Sequence, residues 1–248
     1  MELGTLIASS ENVDVYQQGN IVIKLFKEGC PKTLALYEAL THARVEDTGL
    51  SIPRIHEVSV IGSRWAIHMD CIEGKTLAQV MEEDPEHKAD HIQQMVEIQL
   101  EIHAKKVPKL SKLKDKLKRQ IDSLDCIDDV KKYELQTRLD SMPKHIKLCH
   151  GNFMPENIIL NQNGTFIVDW VAARQGNASA DVGRTYLLLS LKDPEMAEQY
   201  LNMFCKKTNT SKKYVQEWLP IVAAARLTEN RPEERDLLMK WIDVVAYE

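Results

Sequence analysis

Apolar and polar residues alternate in short runs over roughly the first seventy positions, then recur at helical spacing through most of the remaining chain. TLIAS, DVYQQ and IVIKLF are β-type runs, parted by SSEN and QGN, both turn compositions. KTLALYEALTHARVEDTG follows. Its Leu34, Leu36, Leu40 and Ala43, with Ala35 and Ala39 between, predict an amphipathic helix that stops near Gly49. IPRIHEVSVIG and RWAIHMDCI predict two more strands.

After Glu73 the spacing changes. KTLAQVMEE predicts a short helix, and DHIQQMVEIQLEIHAKK a longer one, buried over much of its surface through Ile92, Met95, Val96, Ile98, Leu100 and Ile102. SKLKDKLKRQIDSLD sets Leu113, Leu117, Ile121 and Leu124 on one stripe. Lys112, Lys114, Lys116, Lys118 and Arg119 fall on the other, which reads as a solvated face. YELQTRLDSM is a further short helix, NIIL and TFIVDW are strands, and helices complete the chain: DVGRTYLLLSL, PEMAEQYLNMFCKK, KKYVQEWLPIVAAARL and PEERDLLMKWIDVV. Strands and helices are segregated, which is α+β. The boundary falls near Ile72-Glu73-Gly74, giving an amino-terminal lobe over 1–72 and a helical lobe over 73–248.

Composition narrows the classes. Of 248 residues, 44% are hydrophobic and 28% charged, as in ordinary globular proteins, and the net charge of −5 gives no general attraction for nucleic acid. The basic face at 111–120 is the one stretch that suits RNA, and the overall charge opposes it. Cys30, Cys71, Cys126, Cys149 and Cys205 are scattered and form no CxxC pair, so reduced thiols and a cytoplasmic setting are expected. Neither a signal peptide nor a membrane span is expected. His145, Cys149 and His150 make a poor zinc set, because adjacent residues on a strand point apart and no fourth ligand is evident.

The most specific stretch is LCHGNFMPENIIL, residues 148–160. Seven positions lead from His150 to Asn157, and twelve more to Asp169 at the end of FIV. A hairpin through NQNGT would bring Asn157 and Asp169 to one edge, an amide and a carboxylate oxygen of the kind Mg²⁺ takes beside phosphate and water. Taken singly, Asn157 is equally a turn cap and Asp169 a helix cap. Lys24 sits inside the apolar run IVIKLF with Glu38 fourteen residues on. A strand lysine held by a helix glutamate is how protein kinases present a cation to phosphates. Alone, each is equally an edge-strand lysine and a solvated charge.

HGNFMPENIIL followed by IVDW resembles the aminoglycoside phosphotransferase and choline-kinase-like group of small-molecule kinases. The resemblance covers nearly the whole chain and implies a bilobal protein-kinase-like fold, ATP (or GTP) with Mg²⁺, and a small hydroxylated acceptor such as an amino alcohol, amino sugar or aminoglycoside. It implies Lys24 and Glu38 at the phosphates, Met69, Asp70, Cys71 and Ile72 at the base, and Asn157 and Asp169 on the metal. His150 and the residue at 152 fall in the catalytic loop, and Asp181 of GNASADVGRTYLLL is the carboxylate that braces it. Cationic acceptors would need acidic partners, for which Glu229, Glu233, Glu234 and Asp236 are available.

Two departures stand out. SSEN lacks a glycine-rich cradle, and Asn152 occupies the position of the family's catalytic aspartate. An amide accepts a hydrogen bond from a hydroxyl but takes no proton near neutral pH. General-base effects are worth about 10²- to 10⁴-fold. Phosphoryl transfer rests mainly on positioning and electrostatics, so reduced activity is one expectation. A nucleotide-binding pseudokinase with a scaffold or regulatory role is the other. Glu156, four residues on, is the nearest other carboxylate.

Overall fold

The alternating runs become antiparallel strands, and the helical periodicities become helices, in a computed structural model that describes residues 3–243. In chain order these are β1 (Thr5–Ser9), β2 (Val13–Gln18), β3 (Ile21–Phe26), α1 (Lys32–Glu46), β4 (Ile55–Ile61), β5 (Arg64–Asp70), β6 (Lys75–Thr76), α2 (Leu77–Glu83), α3 (Lys88–Ala104), α4 (Leu113–Asp122), α5 (Asp129–Ser141), β7 (Lys147–Cys149), β8 (Ile158–Asn161), β9 (Gly164–Ile167), β10 (Arg174–Gly176), α6 (Ala178–Ser190), α7 (Pro194–Thr208), α8 (Lys212–Gln216), α9 (Leu219–Leu227) and α10 (Arg235–Asp243). Val244 and Val245, the end of the last expected helix, lie outside the described residues.

Backbone contacts divide the chain into two compact units. One comprises the residues up to Glu83 together with Pro155–Ala173; the other comprises Asp84–Met154 and the residues from Arg174 onward. Relative to the boundary expected near Ile72, the strand-rich unit also takes in β6, α2 and the β8–β9 hairpin. The reason is a second small sheet, ordered β6-β8-β9, in which Lys75 pairs with Leu160 and Thr76 with Ile159. Gly74 makes the approach possible: a Cβ there would lie 2.4 Å from the Leu160 carbonyl oxygen, and its φ of +154° is one that side chains rarely adopt.

The main sheet of this unit runs β1-β2-β3-β5-β4. Side chains alternate across it. Ile23 and Leu25 pack with Ala66 on one face, and Phe26 packs with Ile67, Met69, Ala35 and Ala39 on the face that α1 covers. The helix therefore meets the sheet through its alanines. Leu36 and Leu40, expected on the apolar face, are 41% and 49% exposed. Leu34 still packs against this cluster, so the buried face is rotated from the expected one rather than opposite to it.

In the helical unit α3 buries Ile92, Met95, Val96, Ile98 and Ile102 as its spacing requires. β7 pairs with β10, setting Cys149 opposite Arg174. The single helix expected over KKYVQEWLPIVAAARL is two, α8 and α9. Pro220 has no N–H to continue a helix but fits its first turn, so it begins α9 beside the buried Trp218. Among the described residues no helix is long and apolar enough to cross a membrane.

Candidate functional site

β3 is a central strand, so Lys24 is not an edge residue: it lies opposite Val15 on one side and Ile67 on the other. Strand alternation turns it to the α1 face. Glu38 projects from α1, is only 7% exposed, and accepts a hydrogen bond from Lys24 Nζ at 2.6 Å. Asp169 Oδ1 lies 3.9 Å from the same nitrogen. Burial works to lower the pKa of Lys24, but the charges of Glu38 and then Asp169 outweigh it and hold it above the ordinary value.

These three residues line a cavity of about 970 Å³, together with Met69, Asp70, Cys71, Ile72 and Asn157. All eight residues expected at a nucleotide and its metal are thus gathered in the strand-rich unit. The volume lies at the upper end of the usual range for ligand pockets, roughly 300–1,000 Å³, and suits a nucleoside triphosphate. The Asp70 carboxylate is occupied in shaping this wall. It accepts from the Arg54 backbone N–H at 2.9 Å and lies 2.7 Å from His56 Nε2. Burial would raise its pKa, but those bonds keep it low. His42, which sequence reading passed over, also lines the cavity, with Nε2 2.6 Å from the Pro53 carbonyl; burial lowers its pKa.

The β8–β9 ladder runs past its last strand pair, Ile158 with Ile167, to a bond from Val168 N to Asn157 O at 3.0 Å. Asn157 and Asp169 therefore flank one end of the hairpin. Strand β9 ends at Ile167, two residues before Asp169, which instead precedes a 3₁₀ turn with φ 65° and ψ 60°. This left-handed conformation is one that Asp tolerates better than most residues. Glu156 is exposed.

His150, Asn152 and Asp181 lie in the helical unit. Asp181, in the first turn of α6, is 2% exposed. Its Oδ2 accepts from His150 N at 3.1 Å and its Oδ1 from Gly151 N at 2.7 Å. His103 Nε2 lies 3.0 Å from Oδ2. Burial pushes the carboxyl pKa up, but the hydrogen bond and charge of His103, with His150 and the Gly151 N–H, pull it below the ordinary value. Gly151 has φ 80°, which favours glycine. The Asn152 N–H then donates to His150 Nδ1 at 3.2 Å. Burial raises the Cys149 thiol pKa well above its usual value.

Two loop-holding residues escaped the sequence reading. His103 ends α3, far from the motif in sequence. Arg184 donates from Nε to Gly151 O at 2.5 Å and from Nη2 to Glu229 Oε1 at 2.7 Å. Its signal was available, since Asp181 and Arg184 are three apart on one helix and share a face. Of the four acidic residues available to a cationic acceptor, Glu229 is bridged between Arg184 and Arg226, Glu234 accepts two bonds from Arg226, both at 2.7 Å, and Glu233 and Asp236 lie exposed.

A sheet-and-helix unit joined to a helical unit in this order is the α+β, bilobal arrangement of the protein-kinase-like fold, and solved structures match it along the chain. A thermostable mutant of aminoglycoside phosphotransferase APH(4)-Ia, in its apo form, aligns with TM-score 0.71 at 15% identity, over 96% of this chain and 90% of that one. Amicoumacin kinase hAmiN, solved with AMP-PNP, Ca²⁺ and Ami, gives 0.68 at 13%, over 96% and 86%. ADP-bound APH(2'')-Ib gives 0.62 at 16%, over 96% and 91%. The family model described as the phosphotransferase enzyme family matches residues 8–218, and the chain belongs to that family, the aminoglycoside phosphotransferase (APH) family. Comparison with curated proteins gave no match.

Proposed function

We propose that this chain is an ATP-dependent phosphotransferase acting on a hydroxyl of a small molecule, with Asn152 in place of the usual aspartate. The observation that carries this reading is Lys24, held 2.6 Å from Glu38 and 3.9 Å from Asp169 on the wall of the 970 Å³ cavity. Membership of the phosphotransferase family supports it, as do relatives solved with AMP-PNP or ADP.

When bound, Mg-ATP supplies the phosphoryl group and the charge that offsets its oxygens. Lys24 is assigned to the phosphates and Glu38 to orienting Lys24. Asn157 and Asp169 are assigned to the metal, and the backbone from Met69 to Ile72 to the base, ATP or GTP. The strand-rich unit, residues up to Glu83 with Pro155–Ala173, then serves the nucleotide, and the helical unit carries the catalytic loop and acceptor site. Asp181 and His150 hold that loop. Asn152 Oδ1 would accept a hydrogen bond from the acceptor hydroxyl and orient it; the amide takes no proton, so the hydroxyl would keep its proton until its oxygen is phosphorylated and then release it to solvent water. Catalysis then rests on position and charge, with the base contribution of about 10²- to 10⁴-fold missing.

The amide at 152 favours a second reading, a nucleotide-binding pseudokinase with a scaffold or regulatory role. One experiment separates the two. Mg-ATP binding and turnover are measured for the chain and for Asn152→Asp, against a panel of hydroxylated acceptors. The kinase reading expects both proteins to bind Mg-ATP and the variant to turn over at least 100-fold faster, the lower end of that range. Binding without turnover in either protein supports the pseudokinase. Failure of both to bind Mg-ATP sinks both readings.

A further inference from the structure

Beside the catalytic loop, inside the helical unit, lies a recess of about 20 Å³. That is room for one water molecule or one oxygen atom of a larger group. Its polar lining is Lys116 and Gln120 from α4, Gly151 of the loop, and Asp181 and Arg184 of α6.

The charges around it do not balance. Asp181 is occupied by His103 and the backbone of His150 and Gly151. Glu229 is shared by Arg184 and Arg226, and Glu234 is held by Arg226. Each carboxylate already has its cation or its N–H donors. Lys116 has neither: among the described residues its ammonium forms no hydrogen bond and no ion pair within 4.0 Å. The Gln120 amide nitrogen is no help, since it donates to Ala225 O at 3.2 Å and Thr228 Oγ1 at 3.0 Å. Lys116 is moreover only partly exposed, not part of the solvated face that its sequence pattern suggests.

The consequence is visible in its acidity. Burial first, then repulsion from Arg184 and Arg174, lower the Lys116 pKa from 10.5 to about 8, with Glu229 and Asp181 opposing too weakly to restore it. A half-buried cation set among other cations is unfavourable unless an anion completes the set. The wall of the recess includes Gly151, the residue before Asn152. An anion reaching Lys116 would therefore belong to a molecule lying along the catalytic loop.

We propose that Lys116 receives an oxyanion carried by the acceptor, one oxygen of which enters the recess, so that the substrate is a hydroxylated carboxylate or phosphate ester. This deepens the phosphotransferase reading and rests on it for the identity of the molecule as acceptor.

The test is calorimetric titration of the full chain, of Lys116→Gln and of Lys116→Arg. The probes are D-glucuronate, glycerol 3-phosphate, D-glucosamine, ethanolamine and inorganic phosphate, with Mg-ATP titrated separately. The expected result is that one of the two hydroxylated anions binds the wild type and the two amines do not. Lys116→Gln weakens that binding at least tenfold, Lys116→Arg largely keeps it, and Mg-ATP affinity is the same in all three proteins. Equal affinity for the anion in wild type and Lys116→Gln overturns the proposal. So does preference for the amines, binding of inorganic phosphate alone, or no anion binding at all. If Mg-ATP does not bind but Lys116-dependent anion binding is seen, the phosphotransferase reading falls and the oxyanion site stands. If Mg-ATP binds and the anions do not, the reverse holds.

Discussion

In the strand-rich unit Lys24 stands 2.6 Å from Glu38 and has a pKa above its ordinary value. In the helical unit Lys116 stands beside Arg184 and Arg174, and its pKa is about 8. Burial pulls both lysines in the same direction, so the difference lies in their neighbours. A glutamate on an adjacent helix converts a buried lysine into a stable fixed charge. Two arginines leave one that the fold tolerates only at a cost. The first lysine is complete within the protein, and the second is completed by something else.

The largest perturbation of this contrast is Asp181→Ala. It removes the one carboxylate that serves two loop N–H groups and His103 at a site 2% exposed, and it deepens the positive surplus around Lys116. A loss of about 3–5 kcal/mol in unfolding free energy is expected, read by urea denaturation; a loss under about 1 kcal/mol would show that the brace is dispensable.

Lys116→Met acts in the opposite sense. It removes an uncompensated cation facing Asp181 and Arg184 of α6, Arg174 of β10 and Glu229 beyond α9. Below about pH 8 the lysine is charged in both folded and unfolded chains, and its depressed folded pKa costs stability. From about pH 8 to 10.5 the unfolded chain binds more protons, so wild-type stability rises with pH. Lys116→Met is thus expected to be more stable by up to about 3 kcal/mol at pH 7, each tenfold loss of proton affinity being worth about 1.4 kcal/mol and solvent at this partly exposed side chain screening some of it. That margin closes as the pH reaches 10.5. Denaturation at pH 7, 9 and 10.5 checks it, and a margin that does not change with pH contradicts it.

Lys24→Met should cost about 10- to 100-fold in Mg-ATP affinity, or roughly 1.4–2.8 kcal/mol, and leaves Glu38 without its partner. Titration of the variant decides this, and unaltered affinity would remove Lys24 from the phosphate site. The smallest effect sets the scale. Lys75 and Glu83 pair at 2.6 Å, but their side chains are 60% and 57% exposed. Lys75→Ala should change stability by less than about 0.5 kcal/mol, measured by the same denaturation.

Much of this was legible in the sequence where periodicity or spacing carried the information. The strands around α1 and the order of elements followed from alternation and helical repeats. The interval from His150 through Asn157 to Asp169 marked a loop and hairpin because short-range geometry fixes both. What escaped depended on tertiary neighbours. α1 turns Ala35 and Ala39 inward and leaves Leu36 and Leu40 outside, a choice of face made by the sheet it packs on and not marked by residue size. Lys116 looked like one more residue of a basic stripe, and only the packing of α4 against α9 and β10 makes it different. His103 is far in sequence from the carboxylate it serves.

The strand-rich unit is not continuous in sequence, and this matters when the protein is made. A ribosome completes β1–β5 and α1 before residue 83, so Lys24 and Glu38 are available to each other early. Asp169 lies 131 residues after Glu38. At about 5–20 residues per second that is a delay of roughly 7 to 26 seconds. Throughout it, β6 waits for β8, and the nascent sheet carries its lysine and glutamate without the aspartate that follows. The emerging chain therefore passes through a stage with the ion pair but without Asp169, and two separate stretches must meet before the lining of the cavity is complete.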